Sequence, residues 1–175
     1  LTTADDIVGD LSVLPYKASA LSCNGNFMII GTTAAAEYDK SEERQSLLSW
    51  GLDAGWIGTH SYIDTTGVSP NDYCITYTEP FYNSVAERLG YISVDIQTEI
   101  ATSSLEQVNL GENSVIALVA PDGTETTKDG VLRDGSSYFF NTGFYRNALA
   151  SPETAGYAHY EYDGVAYLYI FSKVS

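Results

Sequence analysis

A chain of 175 residues, 44% of them hydrophobic and 18% charged, can bury one sizeable core or two small ones and carries too little charge for a disordered tail. Its 23 acidic against 8 basic residues give a net charge of -15, which repels phosphate backbones and anionic membrane surfaces and so argues against DNA, RNA and anionic lipid as partners. No run approaches the roughly 18 consecutive apolar residues of a spanning helix, and the opening at Leu1, with no basic or apolar leader pattern, reads as an excised domain or mature fragment.

In chain order, residues 1–21 predict a helix: Thr2 or Thr3 caps it, Asp5 and Asp6 occupy its first turn, Ile7, Leu11 and Leu14 share a face, and Pro15 interrupts it. Phe27-Met28-Ile29-Ile30 predicts a strand. Ser41-Glu42-Glu43 before Leu47, Leu48 and Trp50 predicts a helix with acidic first-turn residues, ended by Gly51 and Gly55. From Tyr73 to Ile96 two strands join around Asn83-Ser84, and Gln97–Gln107 reads as a connecting helix.

Farther on, Ser114–Ala120 reads as a strand and Pro121-Asp122-Gly123 as a turn, with proline presetting one dihedral and glycine tolerating the next. Residues 137–150 read as a loop with one helical patch. The strongest local signal is Asp163-Gly164 between two tyrosine-rich alternating runs, Tyr157–Tyr162 and Val165–Phe171, which predicts a two-residue hairpin. Strands clustered with helices, without strict β-α-β alternation, predict an α+β chain of mainly antiparallel sheets flanked by helices.

Cys23 and Cys74 are too far apart for a redox or zinc motif; a disulfide between them and two buried thiols both stay open. His60 and His159 lie far apart with no acidic or cysteine neighbour at ligand spacing, so neither a metal centre nor a histidine triad is expected, and no cofactor motif is present.

The order Arg44, Trp56, Tyr62-Ile63-Asp64, Thr66-Gly67, Ile75-Thr76-Tyr77, Pro80-Phe81-Tyr82 and Gly90–Ile96 resembles the extracytoplasmic double-Cache sensor domain of bacterial transmembrane receptors, over about residues 41–123 and more loosely beyond. The resemblance implies two PAS-like modules: a helix at 1–21, a membrane-distal module at 22–96, a connecting helix at 97–107 and a membrane-proximal module at 108–175. It implies a non-enzymatic sensor outside the cell membrane, extracellular or periplasmic, feeding a chemotaxis rod, a histidine kinase or a diguanylate cyclase. Dimerisation in the full-length receptor is left open.

In amino-acid-binding members of that family, the tyrosine and aspartate of Tyr-x-Asp and the closing strand's aspartate line the pocket, which implies Tyr62, Asp64 and Asp95 here. Arg44, Trp56 and Tyr77 complete the expected site for an amino acid, amine or organic acid: carboxylates would hold an ammonium and rings would cover its apolar part. Those members carry Arg-x-Trp-Tyr where this chain reads Arg44-Gln45-Ser46-Leu47. Beside this stand plainer readings, in which Asp64 caps a turn, Asp95 caps a helix, Arg44 pairs with Asp39, Glu42 or Glu43, and the tryptophans are packing groups. Two further functions compete: the tyrosine-rich hairpin as an adhesive surface, and a hydrolase using Asp64 and Asp95 as acid and base.

Overall fold

Alternation along two long strands sets the architecture. Tyr73–Tyr82 (β4) and Arg88–Gln97 (β5) pair antiparallel, with Thr76 opposite Asp95 and Thr78 opposite Ser93. Successive side chains point to opposite faces, so these four share one face, where all are fully buried, while Ile75, Tyr77, Ile92 and Val94 take the other. The link between the strands closes on Asn83, whose side-chain oxygen accepts from the Val85 and Glu87 amides at 3.0 and 2.9 Å.

The computed structural model describes residues 16–19, 25–65, 72–132 and 136–173. It is an α+β fold of mainly antiparallel sheets. Strands Tyr16–Ser19 (β1), Gly25–Ile30 (β2) and Gly55–Ile57 (β3) complete a five-stranded sheet in the order β1-β2-β5-β4-β3, with β5 at its centre. Of the helix expected at 1–21, residues 1–15 and 20–21 lie outside the described residues, and Tyr16–Ser19 is strand: it closes a hairpin against Asn26–Ile29, beyond the point where Pro15 breaks the helical pattern.

Between β2 and β3 the chain runs through Thr32–Tyr38 (α1) and Glu42–Ser49 (α2), and after β3 through Ser61–Thr65 (α3). Ser41 caps α2, its hydroxyl accepting from the Arg44 amide, with Glu42 and Glu43 set against the positive end of the helix dipole. Ile30, Ala34, Ala35, Tyr38, Ile63 and Tyr91 form the apolar core under these helices, and Tyr62 packs against it. The same sheet face continues from Tyr91 into Ser93 and Asp95, so apolar packing gives way to a buried polar row.

After β5, Thr98–Glu106 (α4) falls within the expected connecting helix. A small sheet follows, Ala117–Val119 (β6), Glu125–Thr127 (β7) and Gly130–Leu132 (β8), in that order. The chain divides into two compact units at Val131/Leu132, which puts the β6–β7 hairpin with the five-stranded sheet. The second unit holds Phe144–Ala150 (α5) and the hairpin of Ala155–Tyr162 (β9) and Val165–Ser172 (β10). Asp163 and Gly164 sit at φ 52° and 74°, as a tight turn of this twist requires. Phe144 meets Tyr160 edge-on at 4.5 Å and stacks on Tyr169 at 4.8 Å.

Gly90 is where β5 meets β2 most tightly. A Cβ there would lie 2.0 Å from the Ile30 carbonyl oxygen, a backbone atom that cannot swing aside. Gly90→Ala is expected to cost about 3 kcal/mol in urea unfolding, and an effect within experimental error would show that β2 and β5 are farther apart than described.

Candidate functional site

The polar row meets an ion trio at Asp95; His60 is buried with it, and the third member, Asp64, has a side chain 26% exposed. His60 precedes α3 and its ring is fully buried. Nε2 donates to Asp95 Oδ1 at 2.7 Å, and Nδ1 lies 3.0 Å from Asp64 Oδ1, an ionic contact rather than an aligned hydrogen bond. Thr76 donates to the same Asp95 oxygen at 2.8 Å, and Tyr73 donates to Asp64 Oδ2 at 2.9 Å. The Tyr73 ring stacks on the imidazole, centroids 4.0 Å apart. Strict alternation would turn Tyr73 to the far face with Ile75; an irregular register between the two re-aims it.

A ring nitrogen facing a carboxylate on each side favours the doubly protonated imidazolium. Burial pushes the His60 pKa down, but the Asp64 and Asp95 carboxylates outweigh it and lift it from 6.5 to about 9. At neutral pH this ring holds its proton rather than accepting one, so its chemistry is that of a fixed cation between two anions.

Arg44 forms a second network. Its guanidinium donates to the Asp53 carbonyl at 2.6 Å, pairs with the Asp53 carboxylate and lies 4.9 Å from the Tyr91 ring centroid. Arg88 lies at the same distance from that ring and pairs with Asp39, to which the Tyr91 hydroxyl also donates. Burial and the Asp39 hydrogen bond push the Tyr91 phenol up to about 12, against the lowering pull of Arg44. This network ties α2 and the loop after it to β5.

The six residues expected to form one pocket are therefore distributed. Asp64 and Asp95 converge on His60. Arg44 pairs with Asp53, not with Asp39, Glu42 or Glu43. Tyr62 lies against Tyr38, ring centroids 6.0 Å apart, and its amide donates to Glu43 Oε1 at 2.9 Å. Trp56 and Tyr77 are cross-strand partners whose rings meet at 5.2 Å. As neighbours of Thr76 and Thr78 in a pleated strand, Tyr77 and its partner face away from Asp95.

A cavity of about 270 Å³ lies beside the trio, between α2 (Glu42, Glu43, Ser46), the β3–α3 corner (Ile57, Thr59, Ser61) and the β6–β7 turn (Asp122, Thr124). It is polar and acidic, and no Lys or Arg lines it. Asp122 Oδ2 accepts from the Gly58 and Thr59 amides, both at 3.1 Å, and from the Thr59 hydroxyl at 3.3 Å; Oδ1 accepts from the Thr124 amide at 3.0 Å. Glu43, buried, accepts from Ser61 as well as Tyr62 and so caps the start of α3. Among the described residues no group of three or more His, Cys, Asp or Glu side chains is placed to hold a metal ion.

Sequence reasoning missed His60, Glu43 and Asp122. For His60 a signal existed: Asp64 stands four residues on, one helical turn away. Nothing local marks Glu43 or Asp122, whose partners are 18 and 64 residues distant. No protein-family model, no curated protein and no solved structure matches the chain.

Because the folded pKa of His60 lies above its ordinary 6.5, the trio's contribution is complete below about pH 6.5 and is lost as pH rises through about 9. Stability is expected to decline over that interval, and an NMR titration of the His60 ring should show a midpoint near 9 that falls in Asp95→Asn. A midpoint at 6.5 in the native chain would refute the ion trio. Asp95→Ala, which strips a buried cation of one partner, is expected to cost about 3–5 kcal/mol in denaturant unfolding.

Proposed function

We propose that the chain is the sensing domain of a membrane receptor, built as two PAS-like modules in the manner of double-Cache sensors and lying outside the cell membrane. On this reading the first unit takes the ligand and the second unit belongs to the membrane-proximal module. The observation that carries it is the cavity at the β3–α3 corner, walled by helix, sheet and turn, and lined by hydroxyls and carboxylates. Its volume falls just below the roughly 300–1,000 Å³ of drug-sized sites, which suits a smaller guest. Glu42, Glu43 and Asp122 without a basic neighbour select, among amino acids, amines and organic acids, for an amine-bearing molecule. Such a guest shifts the receptor only as far as it prefers one arrangement of helix and sheet over another.

A thermal-shift screen of amino acids, amines and small carboxylates tests this. A ligand at a hundredfold its Kd adds about 2.7 kcal/mol, a rise of several degrees for a chain of this size. Glu42→Gln and Ser46→Ala are each expected to weaken the hit, Glu42→Gln by about tenfold. A hit that survives both unchanged would remove the ligand from this cavity.

One observation favours a second reading, a binding surface without small-molecule signalling. Tyr157, Leu168 and Ile170 share one face of the β9–β10 hairpin and are 75%, 58% and 65% exposed, a grouping that often marks recognition surfaces. Binding to surface proteins or glycans that is lost in a Tyr157→Ser, Ile170→Ser double variant and kept in Glu42→Gln would establish it.

A further inference from the structure

One side chain of the β6–β7 turn is bound to the sheet module in an unusual way. The Asp122 carboxylate gathers two successive backbone amides and a hydroxyl from Gly58 and Thr59, residues more than sixty positions earlier. The turn is complete without them: Gly123 donates to the Ala120 carbonyl at 2.9 Å and Ala120 to the Thr124 carbonyl at 2.8 Å. Its seat is shaped to receive it. A Cβ on Gly58 would lie 2.3 Å from Thr124 Cβ and 2.6 Å from Asp122 Oδ1, so the glycine exists where the turn rests directly on backbone.

The hairpin's strands and its tip are held differently. Residues 106–115, which lead into it from α4, are exposed and largely irregular, with Gly111 at φ 90°. Its inner strand, β7, is buried and packs against α4. The tip reaches the cavity: Asp122 and Thr124 line it together with Ile57, which is 1% exposed.

We infer that the tip of the β6–β7 hairpin, residues 120–124, is a lid over this cavity, held shut by Asp122 on the Gly58 and Thr59 amides while β7 stays packed against α4. The carboxylate works as an internal anion in a nest of backbone donors, and its release uncovers the wall that Ile57 forms. The inference does not depend on what the cavity binds. It adds to the sensor reading a part whose two positions, shut and open, differ in access to the site.

Hydrogen exchange on the free protein tests the latch without any ligand. In Asp122→Ala, exchange at Gly58, Thr59 and residues 120–124 is expected to rise about tenfold or more, while the β4–β5 ladder keeps its native protection. Gly58→Ala, which displaces the turn by its bulk and leaves the carboxylate intact, is expected to give the same pattern. A rise spread evenly through β4 and β5 would make the hairpin part of one cooperative unit and overturn the lid, and unchanged exchange would overturn the latch. Access is read separately by placing Ile57→Cys in both backgrounds and locating thiol modification by peptide mapping. Labelling at that position is expected to speed up at least about tenfold with Asp122→Ala, in step with lid opening; equal rates would show that the hairpin does not cover the cavity.

Discussion

The imidazolium of His60 is the constraint on which the first unit depends. Asp95 stands on the central strand with no exposure to water, and an uncompensated carboxylate there would carry a desolvation cost of several kcal/mol. The compensating cation comes from the corner between β3 and α3, so neutralising Asp95 fixes that corner over the C-terminal end of β5. Asp64, one helical turn on, takes the opposite side of the ring and sets the direction of α3. Tyr73 and Thr76 complete the shell from β4, so three elements, α3, β4 and β5, meet at one side chain.

Once the corner is fixed, two further carboxylates find their partners on it. The Tyr62 amide and the Ser61 hydroxyl at the start of α3 face Glu43 of α2, and the amides just before His60 face Asp122 of the β6–β7 turn. Each is a carboxylate on backbone donors, an arrangement stronger than a neutral hydrogen bond. Three separate segments are thereby held to a stretch of seven residues, Gly58–Asp64. The Arg44 network does the equivalent at the other end of the sheet, where Tyr91 carries a guanidinium at 4.9 Å from each of two arginines. In a chain with only 8 basic residues, assigning two to one ring keeps helix α2 on the sheet.

What the sequence shows of this arrangement follows the range of the forces. The Asp163-Gly164 hairpin, the Ser41 cap, the β4–β5 pair and α4 rest on neighbours a few residues apart, and all are legible. Helix α1 is seven residues of Thr, Ala, Glu and Tyr whose apolar face is mostly alanine, too weak a pattern to stand out. Strand β7 is Glu125-Thr126-Thr127, buried yet without an apolar residue, so hydrophobic alternation cannot reveal it. For the site, Asp64 and Asp95 are readable as paired carboxylates, but their partner depends on α3, a five-residue helix with little signal of its own. The separation of Tyr77 from Asp95 follows from strand parity, which was available in the sequence once β4 and β5 were assigned.

The position of the cavity follows from the same electrostatics. A corner that binds carboxylates on three sides leaves little apolar surface to close against α2, and Ile57 is the sole apolar residue among those lining the gap. The gap stays polar because its walls are groups already committed to holding the fold: Glu43 caps α3, and Asp122 holds the β6–β7 turn. A guest that draws on either carboxylate therefore competes with a structural hydrogen bond. Gly58 and Thr59 lead directly into His60, so a displacement at those amides reaches the ion trio within one or two residues and passes through Asp95 into the central strand. The cavity wall and the central strand share one chain of hydrogen bonds and ion pairs at this corner, whereas the Trp56 and Tyr77 pair lies on the opposite face.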